Sequence, residues 1–321
     1  MQRPPLEHII RIGARGSPLS LAQTGQLRQL LAKSLGIDEA DQDRLLPIIA
    51  ITTTGDKIQD RPLSEAGGKG LFTKELDDAL LDGRIDCAIH SLKDVPTSMP
   101  DGIVLLAGPP REDRRDALVS LDGLSLDQLK PGAIIGSASL RRGTQLRFAR
   151  PDLKVVTLRG NVGTRLEKLR AGNVDATLLA AAGLFRLGLL DVPHVMLDPS
   201  DMPPAIGQGA LAITARENDD AIARAFASIA CARTHIETAT ERAFLTALDG
   251  SCRTAIGALA QIDRDGGLSF IGEALSADAQ HRWRETKRLS DVCVASGIAL
   301  GTQLGLNIKA QSGNWLGGLI S

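Results

Sequence analysis

The chain has 321 residues, 43% of them hydrophobic, and a formal net charge of -1, enough apolar material for two or three packed domains. With aromatics at 2% and no excess of basic charge, it lacks the stacking surface and the electrostatic footprint of a general nucleic-acid binder. Residues 1–15 hold no apolar signal-peptide core and the most apolar segment, 176–185, is too short to span a bilayer, so a cytoplasmic protein with no membrane partner is expected.

Residues 9–13 read as an apolar strand that runs through Arg15-Gly16-Ser17 into a helix. A Gly-rich stretch over 63–70 is expected to form a lid, and a helix over 72–81 follows it up to a stop at Gly83. The next strand, 85–89, ends in His90-Ser91-Leu92-Lys93-Asp94-Val95-Pro96 and so delivers Lys93 and Asp94 to one spot. Pro96 disfavours helix at Val95, and in open α/β folds ligands bind beyond the carboxyl ends of strands. Asp94 is therefore the leading candidate for catalysis. The competing reading is a strand-end ion pair with Lys93, worth at most about 1 kcal/mol.

The same plan then recurs. A strand over 133–136 runs through Ser137-Ala138-Ser139 into a helix opened by Leu140-Arg141-Arg142, and a helix to Arg170 meets a Gly172 stop before a strand over 173–182. Two similar, doubly wound α/β lobes are the economical explanation. Met202-Pro203-Pro204 leads into a strand over 211–214, read as a crossing back into the first lobe. The expected division is 1–109 with 203–228, then 110–202, then a C-terminal domain over 229–321. Helices over 219–232 and 235–248, the second opened by a capping box from Thr234 to Glu237, precede strands at 256–262, 268–275 and 282–289. A closing helix over 291–304 completes a small α+β domain around a three-stranded meander.

Basic residues gather where helices begin: Arg15 with Ser17, Lys69 with Lys74, Ser139 with Arg141 and Arg142, and Arg159 with Arg165. Helix N-termini favour anions, and arginine grips carboxylates bidentately, so a basic interlobe cleft for a ligand with several carboxylates or phosphates is expected. Any one of these residues alone reads as a solvated helix-end charge; their recurrence at equivalent turns favours the polyanion site.

Cys87, Cys231, Cys252 and Cys293 are scattered without Cys-x-x-Cys spacing, which indicates neither zinc nor a disulfide framework. Cys87 and His90 would point to opposite faces of their strand, so no metal is expected. Cys87, Cys231 and Cys293 read as buried small hydrophobes. Cys252 differs, because it follows Gly250-Ser251 and precedes Arg253, a small-residue loop beside a cation that favours thiolate.

Seven segments in order, Arg15 to Leu19, Gly67 to Phe72, His90 to Pro96, Arg111 to Ala117, Ser139 to Arg142, Leu158 to Val162 and Gly250 to Cys252, resemble the porphobilinogen deaminase (hydroxymethylbilane synthase) family over nearly the whole chain. One departure is Ala255, where the family pattern has proline. The resemblance implies lobes built like periplasmic binding proteins and a dipyrromethane cofactor attached through a thioether to Cys252. It also implies monomeric action on porphobilinogen, four units of which are condensed with loss of ammonia. Asp94 would stabilise pyrrolic positive charge. Arg141, Arg142, Arg159 and Arg165 would bind carboxylates, with Arg15, Ser17, Lys69, Lys93, Ser139 and Arg186 as further contacts. A two-lobed anion or small-molecule binding protein is the alternative class.

Overall fold

A computed structural model describes residues 9–57, 70–250 and 254–313. The chain runs through β1 (Ile12–Arg15), α1 (Pro18–Leu35), α2 (Glu39–Leu45), β2 (Ile48–Ile51), α3 (Thr54–Lys57), α4 (Lys74–Leu81), β3 (Cys87–Ser91) and β4 (Ile103–Leu106). It continues as β5 (Asp116–Ser120), β6 (Ile134–Gly136), α5 (Leu140–Ala149), β7 (Lys154–Val156), α6 (Val162–Arg170), β8 (Ala176–Ala180), α7 (Ala181–Arg186) and β9 (His194–Met196). Last come β10 (Leu211–Arg216), α8 (Asp220–Ala227), α9 (Ala232–Ala247), β11 (Ile256–Ile262), β12 (Leu268–Leu275), β13 (Arg282–Leu289) and α10 (Val294–Ser312). One compact unit is the described part of Met1–Arg111 with Ala210–His235, and the other is Glu112–Gly209 with the described part of Ile236–Ser321.

The first unit holds a five-stranded sheet in the order β2-β1-β3-β10-β4. β1 pairs in parallel with β2 and β3, while β10 runs antiparallel to β3 and β4. Along β3 successive side chains go to opposite faces, so Cys87 and Ile89 join Ile12, Leu27, Leu31, Ile213 and Phe226 on one side. Ala88 joins Leu76, Leu80 and Ile85 on the other. Helices cover both faces, which is why these strands read as apolar runs without polar alternation.

The second unit repeats that order as β7-β6-β8-β5-β9, again with its fourth strand antiparallel to both neighbours. Leu118, Ile135, Leu146 and Leu178 fill one face, and Ala117, Val119, Leu166 and Leu179 the other. The same unit contains the antiparallel sheet β11-β12-β13. Phe244 and Phe270 meet edge to face above it, with ring centroids 5.2 Å apart. Gly297, Gly301 and Gly305, one turn apart on α10, let its backbone touch α9: a Cβ on Gly301 would lie 2.1 Å from the Thr240 carbonyl oxygen.

The internal echo and the meander stand where the sequence puts them, and the fold is α/β with two like-ordered sheets and a small third one. Several boundaries move. The stretch read as a strand through residue 182 turns helical at Ala181, where α7 begins. α8 ends at Ala227 and α9 begins at Ala232, so Thr234 lies inside the helix rather than before it. Its hydroxyl accepts instead from the Arg111 amide at 2.9 Å, while Glu237 accepts from the Ile262 amide. Tertiary partners override the capping-box pattern here. α10 runs on to Ser312, and Cys293 is its exposed N-cap rather than a buried residue. Cys231 is only half-buried, and Cys87 is buried. The expected lid over 63–70 lies, except for Gly70, outside the described residues.

Candidate functional site

In the first unit the site begins at two strand exits. β1 ends at Arg15, and Ser17 caps α1 by accepting from the Ser20 amide at 3.3 Å, with Pro18 in the first turn. Asp94 and Lys93 lie in the single 3-10 turn Leu92–Asp94 that ends β3. Arg15, Ser17, Ser20, Gln23, Phe72, His90, Ser91 and Asp94 line a cavity of about 50 Å³. The strand exit at His90 to Pro96 thus brings Asp94 to the same cavity as Arg15 and Ser17, residues far away in sequence.

Arg15 is not an idle cation. Its guanidinium stacks over the Phe72 ring at 4.1 Å and pairs with Asp56, which also accepts from the Thr53 hydroxyl at 2.7 Å. Burial pushes the Asp56 carboxyl up, but the hydrogen bonds from Arg15 and Thr53 win and hold it below the usual carboxylate range. His90 sits 3.2 Å from the Thr214 hydroxyl. Burial, then the charge of Arg15, lowers its pKa to about 4, so at neutral pH it is an uncharged wall beside Asp94.

The second unit holds the arginines. Ser139 caps α5 by accepting from the Arg142 amide, and Asn161 caps α6 by accepting from the Thr164 amide at 2.9 Å. Arg141 and Arg142 follow the first cap, and both reach Asp116 at the start of β5: Nη2 of Arg141 lies 2.8 Å from Oδ2, Nη2 of Arg142 2.7 Å from Oδ1. Arg142 also donates to the Leu178 carbonyl, and Arg141 to Gln145 and the Pro203 carbonyl. Burial would raise the Asp116 pKa, yet the two guanidiniums and Gln208 hold it far below the usual carboxylate range.

Positive charge remains in excess. Arg165 is pushed down to about 10 first by burial and then by the neighbouring charges of Arg142 and Arg159, so cations are gathered here. The Nε of Arg141 is buried with no hydrogen-bond partner among the described residues. Arg186, at the end of α7, donates to the Gly209 carbonyl at 2.7 Å, and burial lowers its pKa. Gly209 adopts a φ of +87°, and a Cβ there would lie 2.5 Å from the Glu112 carbonyl oxygen, so only glycine fits. This donor set suits a ligand bearing several carboxylates. Among the described residues no cluster of His, Cys, Asp and Glu could hold a metal ion.

Lys69 and Cys252 lie outside the described residues. Where the described chain resumes after residue 253, the Ala255 carbonyl accepts from the Leu275 amide at 3.0 Å, and the Ala258 amide donates to the Pro204 carbonyl. The sequence reading missed Asp56, Asp116, Gln145 and Gln208. A signal existed for Asp116: a carboxylate opening the apolar run Ala117-Leu118-Val119 must be buried with a partner, and arginines were the available ones.

The family model of the porphobilinogen deaminase dipyrromethane cofactor binding domain matches residues 10–224, and that of the porphobilinogen deaminase C-terminal domain matches residues 235–310. A porphobilinogen deaminase of Phenylobacterium zucineum is 50% identical over 97% of this chain and 98% of its own length. The chloroplastic porphobilinogen deaminase of Oryza sativa subsp. japonica is 47% identical over 95% of this chain and 84% of its own. Among solved structures, a periplasmic substrate-binding protein of an ABC transporter from Coxiella burnetii aligns with 69% of this chain and 91% of its own, at 19% identity and a TM-score of 0.42. Because the matches take in both lobes and the C-terminal domain at about half identity, the enzyme reading prevails over the two-lobed receptor, and the chain belongs to the porphobilinogen deaminase family.

Proposed function

We propose that the chain condenses four porphobilinogen molecules head to tail into the linear tetrapyrrole hydroxymethylbilane, releasing four molecules of ammonia and consuming one water when the product leaves. A dipyrromethane cofactor, held through a thioether by Cys252 in the C-terminal domain, supplies when bound the α-carbon from which the chain grows. Asp94 stabilises the positive charge that develops on the porphobilinogen ring nitrogen as ammonia departs. Its carboxylate interacts more strongly with that cation than with the neutral ring, which is the condition for accelerating the step. It also relays protons. Neutral His90 adds no charge of its own to that wall.

Arg15, Ser17, Lys69 and Lys93 in the first unit, and Ser139, Arg141, Arg142, Arg159, Arg165 and Arg186 in the second, bind the acetate and propionate groups that every pyrrole carries. Ser17 and Ser139 act through the helix N-termini they cap. The protein works as a cytoplasmic monomer without nucleic-acid or membrane partners. No helix among the described residues is long and apolar enough to cross a membrane.

The observation that carries this reading is the match to both family domains along almost the whole chain, and the arginines gathered near Asp116 support it. The test is the intact mass of the purified protein, expected to exceed the bare chain by two pyrrole units, and that of Cys252→Ser, expected to equal it with activity lost. A bare wild-type chain that forms no tetrapyrrole would return the protein to the receptor class.

A further inference from the structure

Arg141 and Arg142 are consecutive in α5, so their side chains leave the helix about 100° apart, and their like charges repel. Nothing local makes the two guanidiniums converge. They converge on Asp116, whose side chain is 0% exposed. Oδ2 accepts from Arg141 Nη2 at 2.8 Å, while Oδ1 accepts from Arg142 Nε at 3.1 Å, Arg142 Nη2 at 2.7 Å and Gln208 Nε2 at 2.8 Å. Gln208 is itself anchored on the Arg114 and Arg115 carbonyls, at 2.8 and 3.2 Å. Gln145 fixes the other edge of Arg141, and it donates in turn to the Pro203 carbonyl and to Glu273 of β12.

The charge count matters as much as the geometry. Asp116 faces two guanidiniums, and Glu273, whose charge Arg141 also feels, is paired with Arg284, so one positive charge remains in a buried place, with Arg165 adding to it. A further acid without its own cation would cancel that attraction for anions, and no acid would leave two repelling cations free to swing apart.

We propose that Asp116 is a positioning residue for ligand carboxylates: it fixes where Arg141 and Arg142 point and leaves them one net positive charge for the ligand. This rests on the proposed binding of polycarboxylate pyrroles. Asp116 never touches the ligand; it acts through the arginines, whose placement within a fraction of an ångström decides whether a pyrrole is held for reaction.

The test compares Asp116→Glu and Asp116→Asn with wild type. Glutamate keeps the buried charge but moves it by one methylene, so it satisfies a role in charge balance and fails a role in geometry. The folded Asp116→Glu protein is expected to carry dipyrromethane in only part of the population by intact mass. Its KM for porphobilinogen should rise about tenfold or more, with a smaller change in kcat. Asp116→Asn should lose cofactor loading further, and if it fails to fold the glutamate variant decides alone. Wild-type loading and KM in folded Asp116→Glu would overturn the proposal, as would failure of both variants to fold, which would make Asp116 a stability residue only. Wild type measured alongside separates the two claims: a wild-type protein without pyrrole or activity defeats the functional reading itself, and this proposal with it.

Discussion

Asp77 offers a quantitative test of the physical account. It lies in the first turn of α4, 7% exposed, with Oδ1 buried and no hydrogen-bond partner for that atom among the described residues. Burial lifts its pKa from 3.8 to about 6, a hydrogen bond from Thr73 opposes the rise, and the charge of Asp78 adds to it. Below pH 3.8 the folded and unfolded chains are both protonated at this site, and it costs nothing. Between pH 3.8 and 6 the unfolded chain ionises while the folded chain stays protonated, so the penalty grows at 1.36 kcal/mol per pH unit to about 3 kcal/mol and then stays constant up to pH 8. Asp77→Asn keeps the shape and removes the charge. Its amide N–H then replaces an unpartnered oxygen at a cost of about 1 kcal/mol, so the variant should be about 2 kcal/mol more stable than wild type at pH 8. Near pH 4 it should be slightly less stable. Urea unfolding followed by circular dichroism between pH 4 and pH 8 measures the difference. Parallel stability profiles for the two proteins would refute the argument, whatever their absolute offset.

Asp94→Asn should leave fold and cofactor in place while slowing single-turnover condensation about 100-fold or more, equivalent to about 3 kcal/mol of transition-state stabilisation; a near wild-type rate removes Asp94 from the mechanism. Arg141→Leu should block cofactor assembly or the first condensation, whereas Arg159→Leu and Arg165→Leu should stall later ones, each losing a charge-assisted contact worth roughly 1.5 to 3 kcal/mol. Separation of enzyme intermediates by charge reads this out, and wild-type ladders from all three variants would defeat the polyanion argument. Gly301→Ala forces a methyl toward a backbone oxygen 2.1 Å away, so it should cost about 1 to 3 kcal/mol in urea unfolding; an unchanged midpoint would mean α9 and α10 separate freely.

Much of this was legible in the residues because local signals sufficed. Strands buried on both faces show as apolar runs, glycine stops mark helix ends, and His90 to Pro96 marks a strand exit whatever surrounds it. The repeat of one plan in two stretches of chain already implied two like sheets, and the observed strand orders agree. What the residues left open is partner choice. Arg141 and Arg142 read as ligand-facing cations, yet they hold Asp116, and Arg15 holds Asp56. These pairs join residues 25, 26 and 41 positions apart, and no local propensity encodes such a meeting. Thr234 shows the same limit: its capping pattern was sound locally, but α9 starts earlier and its hydroxyl serves Arg111. Sequence alone determined which strands, helices and charged turns exist and which family they resemble, because those depend on neighbours in the chain. Tertiary structure decided which charges neutralise each other and which remain in excess, because burial strengthens electrostatics and only packed elements set the distances.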